Sequence, residues 1–407
     1  MRFSDARDAV RSIPDGSSVI LPQGCSEPAS FYQAFIAEVD RFRHLQLFSG
    51  LQFGDYSFLK RGLGENYSYA TWHVGAPVQE LISEGRGAYL PLRYADIPRW
   101  FDHPDVVVIH VSPPGPNGDL SLGVSVGVTR QLALNARLVI AEVSEGMPFT
   151  CGESTLAADQ IDIFIEGHSA PVAYVGRSAD PVSSKIAAFT TPLIPDGAWL
   201  QLGIGAVPDA ILTQIESRDI NIHSGMITDQ VMRLLNRTTA KIVTAEVVGS
   251  EKLFRFVDKN PDVEVVPSTR SHDIRAIGAL PRFVAINSAL EVDLSGQVNS
   301  EMIGGVTMAG VGGSLDFMLG ATLSPGGKSI IALPSTADGG ARSRIVPFIA
   351  SSAAVTIPRY CVDFVVTEYG VATLVGKSLT ERARALTAIA HPAYREDLAE
   401  TELTERK

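Results

Sequence analysis

Trp199-Leu200-Gln201-Leu202-Gly203-Ile204-Gly205-Ala206-Val207-Pro208 decides the fold: an apolar run, a glycine turn, and a proline where a helix would start. Four apolar-patterned residues read as a strand, and proline's fixed φ suits the first turn of a helix, where its missing N–H leaves no bond unmade. Strand, turn and helix in that order are the repeating unit of α/β sheets. A looser copy, Val19-Ile20-Leu21-Pro22-Gln23-Gly24-Cys25-Ser26-Glu27-Pro28, stands near the start and hints at an ancient duplication.

Working outward, short β-branched runs alternate with amphipathic segments along the whole chain. In the first half Ser18–Pro22, Val106–Val111, Leu138–Val143 and Ile161–Ile165 read as strands; in the second, Trp199–Leu202, Ile220–Ile222, Lys241–Ala245, Phe283–Ile286, Ser329–Ala332 and Phe364–Val366 do so. Runs apolar on both faces belong to parallel sheets covered by helices. Ser378-Leu379-Thr380-Glu381 has the spacing of a capping box, and Leu379, Ala383, Leu386 and Ala390 recur at helical intervals, which predicts a helix ending at His391-Pro392. A second helix is predicted from Tyr394 to about Leu403, followed by a fraying charged tail. The regular pattern breaks at His168-Ser169-Ala170-Pro171 and Arg177-Ser178-Ala179-Asp180-Pro181, so two α/β domains are expected, residues 1–187 and 188–407.

With 407 residues, 45% of them hydrophobic and 19% charged, the chain can bury two cores and is globular rather than disordered. A net charge of -11, without clustered Lys and Arg, argues against nucleic acid as a partner, since phosphate backbones are held by cations. It leaves room for an anionic small ligand held by backbone N–H groups. Cys25, Cys151 and Cys361 are odd in number and widely spaced, which fits a reducing cytoplasm and neither a disulfide framework nor a metal site. The opening Met1-Arg2-Phe3-Ser4 lacks an apolar signal core, and no apolar run approaches the roughly 20 residues of a membrane span.

Several residues could carry chemistry. The Gly203-Ile204-Gly205 turn offers free N–H groups of a helix start to a phosphate, or is an ordinary strand-to-helix turn. Gly310-Val311-Gly312-Gly313 permits positive φ and a nest of N–H groups for an oxyanion, or simply a tight turn. His223 ends a strand, the ligand-facing edge of an open α/β sheet, and is either a general base or a hydrogen-bonded scaffold residue. Glu246 interrupts the apolar run Val243-Thr244-Ala245-Glu246-Val247; a buried carboxylate is costly unless paired or functional, so it is a nucleophile, the partner of an Arg or Lys, or a carboxylate exposed at the strand end. Arg342 and Arg344 could meet a carboxylate or phosphate, or pair at the surface. Glu368 and Tyr369 either line a cleft or hold the helix that follows them.

At these residues the chain resembles the acetyl-CoA hydrolase/transferase family, with the 4-hydroxybutyrate and acetate CoA-transferases the most similar. The likeness runs through Leu200–Ala210, Val292–Val298, Gly310–Phe317, Val366–Ala372, Gly376–Leu379, Arg382–Leu386 and Ile389–Pro392, with Val111–Pro114 and Asn117-Gly118 in the first half. It implies two open α/β domains of the CoA-transferase type facing each other across a cleft, in a homodimer. It implies that Gly203, Ile204, Gly205, Ala206 and Val207 bind coenzyme A, that Gly312 and Gly313 lie against the thioester, and that Asn287 and Ala289 line the same pocket. The substrates implied are an acyl-CoA and a small carboxylate, with no metal. In the family a glutamate takes the acyl group and then CoA in a ping-pong transfer.

Two positions depart from that pattern. Relatives have a glutamate where His223-Ser224-Gly225-Met226 has Gly225, and often a lysine where Asp338 stands. Glycine supplies no carboxylate. The reaction implied is therefore CoA transfer with Glu246 replacing the lost group, or hydrolysis by water with His223 or Glu246 as base, or CoA binding with little turnover, as in a partner subunit.

Overall fold

A computed structural model describes residues 2–176, 180–215, 219–235 and 240–401. The break at Arg177-Ser178-Ala179 lies outside the described residues, as do residues 402–407, which hold the predicted end of the second helix near Leu403 and the charged tail after it. Two compact units emerge: Met1–Val175 with Ile242–Ser271, and Gly176–Lys241 with His272–Lys407. Each unit is discontinuous in sequence, because Ile242–Ser271 packs with the first.

The first unit is built on an eight-stranded, wholly parallel sheet. Its order is Phe3–Ser4, Ile163–Gly167, Leu138–Ser144, Val106–Val111, Ser18–Ile20, Leu45–Ser49, Tyr67–Thr71, Ala88–Tyr89. Val106–Val111 is buried at all six positions, as a strand covered on both faces must be. The helices Ala6–Arg11 and Ala29–Glu38 pack on each other, the first started by Asp5, whose carboxylate accepts from Arg7 N–H. Phe31, Phe35 and Phe42 from this layer meet Leu45, Leu47 and Tyr67 of the sheet in one apolar core. Each such side chain contributes about 1.5–3 kcal/mol on burial. Ile242–Val247 and Val263–Val265 form a parallel pair in the same unit, with Glu246 bridged to Ser125 and Glu264 to Cys151.

In the second unit the strands run Asn221–Ile227, Trp199–Leu202, Phe283–Asn287, Lys328–Ala332 and Phe364–Thr367, all parallel, closed by the antiparallel Gly370–Thr373. The helices Ser314–Leu323 and Leu379–Ile389 enclose a core of Phe283, Phe317, Met318, Ile331, Val365 and Leu386. The capping box forms as read: Ser378 Oγ accepts from Glu381 N–H while the Glu381 carboxylate accepts from Ser378 N–H. Past His391, Pro392–Tyr394 makes a tight turn and Arg395–Ala399 a short helix. Asp293, in the Val292–Val298 motif, is a turn residue: its Oδ1 accepts from the N–H groups of Ser295 and Gln297 around Gly296, whose φ is 95°.

Candidate active site

In the first unit the chemistry gathers on Glu246. It is 4% exposed, and its Oε1 accepts from Tyr94 OH (2.6 Å) and Gln23 Nε2 (2.8 Å), while Trp72 Nε1 donates to Gln23 Oε1 (3.3 Å). Burial drives its pKa up to about 7, and the Tyr94, Ser125 and Gln23 hydrogen bonds offset part of that rise. Near neutrality this carboxyl is poised between acid and base. Its second oxygen, Oε2, is buried beside the Ser125 hydroxyl, whose hydrogen bond also favours the ionised form. Two glycines make the room. A Cβ at Gly24, where φ is 66°, would stand 3.1 Å from Glu246 Oε2, and one at Gly127 would overlap the Tyr94 hydroxyl. Among the described residues no ion pair with Glu246 is formed.

The second unit brings together His223, Gly225 and Gly313, and adds His272. The His223 ring stands edge-on to Trp199, Phe283 and Phe317, at centroid distances of 6.4, 6.2 and 6.4 Å. His272, at a centroid distance of 4.7 Å from Phe317, lies between the two glycines. A Cβ at Gly225 would be 3.1 Å from His272 Nε2, and one at Gly313 would overlap the imidazole. Burial, and secondarily His223, push the His272 pKa down to about 3, so this ring is neutral across the physiological range.

The two glycine turns differ in what they require. Gly205 adopts φ 123° as the residue before the helix Ala206–Gln214, a conformation that favours glycine, whereas a Cβ at Gly203 would meet nothing within 4 Å. The helix start exposes N–H groups, but it also carries Asp209, a buried carboxyl raised by desolvation that accepts from Thr228 Oγ1 (3.1 Å). A small cavity lined by Leu202, Gly203, Ser224, Met226 and Thr228 joins this turn to the strand that carries Gly225. Gly312, at φ 59°, and Gly313 lead into Ser314–Leu323, so the glycine turn opens a second helix start.

Other candidates have structural partners. Asn287 and Gln201 exchange reciprocal amide hydrogen bonds (3.2 and 3.1 Å), and the Ala289 carbonyl accepts from Arg344 Nη1 (3.0 Å). Arg342 donates to Asp338 Oδ2 (3.0 Å). Glu368 grips Ser335 through both its N–H (2.9 Å) and its hydroxyl (2.6 Å), which is a scaffold role. Tyr369 packs edge-on to His391 with Arg395 over its ring. Among the described residues no cluster of three or more His, Cys, Asp or Glu could hold a metal, and no helix is long and apolar enough to cross a membrane.

Sequence reading missed His272, Gln23, Tyr94 and Ser125, because each is an ordinary residue on its own element. The one signal was Gly127 and Gly24, small residues in otherwise side-chain-rich stretches.

Comparison with known proteins places the whole chain. The model of the acetyl-CoA hydrolase/transferase N-terminal domain matches residues 1–176, and that of the C-terminal domain matches residues 249–402. The chain is 39% identical over 97% of its length, and 95% of the relative's, to the 4-hydroxybutyrate coenzyme A transferase of Clostridium kluyveri. It is similar to the crystal structure of 4-hydroxybutyrate CoA-transferase from Porphyromonas gingivalis, at 35% identity and a TM-score of 0.81, covering 98% of this chain and 96% of that one. It is also similar to the crystal structure of RipA from Yersinia pestis, at 29% identity and a TM-score of 0.90, with the same coverage of 98% and 96%. With both halves matched in order and the α/β architecture shared, the chain belongs to the acetyl-CoA hydrolase/transferase family, whose members are enzymes of acyl-CoA thioesters.

Proposed function

We propose that this enzyme transfers coenzyme A from an acyl-CoA thioester to a carboxylate acceptor, with Glu246 as the group that carries the covalent intermediate. The observation that carries this reading is the Glu246 carboxyl itself: buried, raised by that burial to about 7, and held by Tyr94 and Gln23 on one oxygen. Gly225 has no side chain to do the work that relatives give to a glutamate, and Glu246 is a buried carboxylate whose hydrogen-bond partners Tyr94, Ser125 and Gln23 include no cation.

The steps balance without an added reactant. A Glu246 oxygen attacks the thioester carbonyl carbon, the C–O bond forms as the C–S bond breaks, and CoA leaves as a thiolate. That thiolate attacks the Glu246 carbonyl, releasing the first acid and leaving a glutamyl thioester. A second carboxylate then reverses the sequence and departs as the new acyl-CoA. Ionised Glu246 is the attacking form, and a pKa near 7 leaves a substantial fraction ionised at neutral pH.

In this reading Gly203, Ile204, Gly205, Ala206 and Val207 hold CoA, supported by the helix that starts there after the glycine turn, and Ala289, Gly312 and Gly313 line the thioester end. His223, walled by three aromatic rings, keeps an apolar surface beside it. The enzyme works as a cytoplasmic homodimer, a reading supported by its three free cysteines for the compartment and by the family likeness for the assembly.

The deciding experiment is to incubate the chain with acetyl-CoA, trap with hydroxylamine or borohydride, and map the modified residue by mass spectrometry. Modification at Glu246 is the expected result. Steady thiol release with no acceptor and no modified residue would replace transfer by direct hydrolysis.

A further inference from the structure

Gln23 and Glu27 stand in the turn that enters the helix Ala29–Glu38, and each rests on a glycine of the neighbouring segment. Ile20 pairs with Phe48, Gly24 N–H donates to Leu51 O (2.7 Å), and Gly24 bridges Gln52, so residues 20–24 and 48–52 run side by side. A Cβ at Gly50 would overlap Gln23 Oε1, and one at Gly54 would overlap Glu27 Oε2. Neither glycine has a positive φ, so these two positions require room rather than an unusual backbone.

The two seats hold different groups. The Gln23 amide is tied at both atoms: Nε2 donates to Glu246 and Tyr94, and Oε1 accepts from Trp72. Glu27 is half-buried, and among the described residues no hydrogen bond or ion pair holds its carboxyl. What faces it is acidic. Asp55 follows the glycine seat, its oxygens accepting from Ser57 N–H (2.8 Å) and Oγ (3.0 Å), and Glu142 accepts from Phe31 N–H (2.9 Å) at the helix start. The hydroxyls of Tyr32 and Tyr56 complete the titratable groups around Glu27, and no cation is among them. Burial first, then Asp55 and Glu142, push the Glu27 pKa up to about 7. Asp55 and Glu142 have N–H donors that favour their charge. Glu27 has none and is in part open to solvent, so its carboxyl is free to leave the seat.

We propose that Glu27 is a positioning residue for Glu246 and works as a proton-operated latch. Protonated and seated on Gly54, it holds the turn from Gln23 to Glu27, and with it the Gln23 hydrogen bond to Glu246. Ionised, it gives its proton to water and swings away from Asp55 and Glu142, and the turn loosens. The Glu27 carbonyl is held only by Ser169 Oγ at 3.4 Å, near the limit of a hydrogen bond, whereas Cys25 O accepts from Val172 N–H at 2.8 Å. Cys25 is thus the fixed point about which the Gln23 and Glu27 ends shift together. The latch goes beyond the transfer reading and rests on it only for calling Glu246 the nucleophile.

The test reads Trp72, whose indole donates to Gln23 Oε1 (3.3 Å), by tryptophan fluorescence of the full chain from about pH 5 to about pH 9. It is run in Glu246→Gln, so that the titration of Glu246 itself is absent. A transition with a midpoint near 7 is expected. It should vanish when Glu27→Gln is added, which keeps a neutral group in the seat, and when Trp72→Phe is added, which removes the reporter. Adding Gly54→Ala instead puts a methyl group where the carboxyl sits and should give the alkaline signal even at about pH 5. Circular dichroism establishes that each variant is folded, and the near-isosteric Glu27→Gln decides the matter if Gly54→Ala does not fold. No transition in Glu246→Gln, a transition that survives Glu27→Gln, or an acid-form signal in folded Gly54→Ala would overturn the latch. No coenzyme A is present, so the two readings separate: the Glu27 transition in a chain that transfers no CoA upholds the latch and removes the transfer reading, and transfer without the transition does the reverse.

Discussion

His272 occupies the room that a side chain at Gly225 would need, its Nε2 standing 3.1 Å from the position of a Cβ there and its Cε1 3.3 Å. Phe317 closes the other side at 3.4 Å. Contacts this tight make the neighbour yield, and a ring pinned by Gly313 and Phe317 yields poorly. Gly225→Ala is expected to destabilise the protein by about 1–3 kcal/mol, the usual range for overpacking. In His272→Ala the same substitution should cost little, so a double-mutant cycle by urea denaturation should show a coupling of about 1 kcal/mol or more. Additive losses would mean that the two residues do not compete for space.

Acid should unfold this protein partly through His272. Its pKa falls from 6.5 to about 3 on folding, so the neutral ring's contribution is complete above pH 6.5 and is lost as pH falls toward 3. Over that window the single group removes up to about 1.4 kcal/mol per pH unit. His272→Asn should flatten the profile between pH 6.5 and 4. Chemical denaturation at a series of pH values measures the slope, and an unchanged slope would assign acid sensitivity elsewhere.

Glu246 titrates in the opposite sense. Its pKa rises from 4.5 to about 7 on folding, so the neutral acid is at home in the fold and stability declines as pH climbs from 4.5 through 7, then levels. Glu246→Gln should therefore be more stable than the parent at pH 8, by on the order of 2–3 kcal/mol, with the gap closing toward pH 4.5. It should also lose the covalent intermediate, and with it 100-fold or more, on the order of 3 kcal/mol, in kcat. Melting curves at pH 5 and 8 together with steady-state rates distinguish this from a merely structural carboxyl, whose removal would leave turnover intact.

Gly127→Ala would press a methyl group into the Tyr94 hydroxyl and crowd Glu246 Oε1. The expected result is a folded protein with a melting temperature a few degrees lower, since overpacking costs about 1–3 kcal/mol. Turnover should fall far more than CoA affinity, because the nucleophile's hydrogen bond is what moves. Calorimetry with CoA beside steady-state kinetics checks that split.

Much of the architecture was legible along the chain. The apolar runs Val106–Val111, Trp199–Leu202 and Phe283–Ile286 are strands at nearly the residues read, and Ser378–Glu381 caps the closing helix as its spacing implied. Such signals are local: a strand covered on both faces must be apolar throughout, and a cap needs only four consecutive residues. Glu246 was visible for the same reason, as a charge inside an apolar strand. Glu368 was visible too, but its grip on Ser335 could not be foreseen, because the partner comes from another element.

Local pattern thus settled strands, helices, family and the odd carboxylate, since each depends on neighbours within a turn or two. Chain folding alone decided that Ile242–Ser271 packs with the first unit, that His272 fills the space at Gly225, and that Gln23, Tyr94 and Ser125 gather on Glu246. These are relations between residues far apart in the chain. They follow from which strands pair and which loops cross, and no periodicity or short motif encodes the distance between two side chains on separate elements.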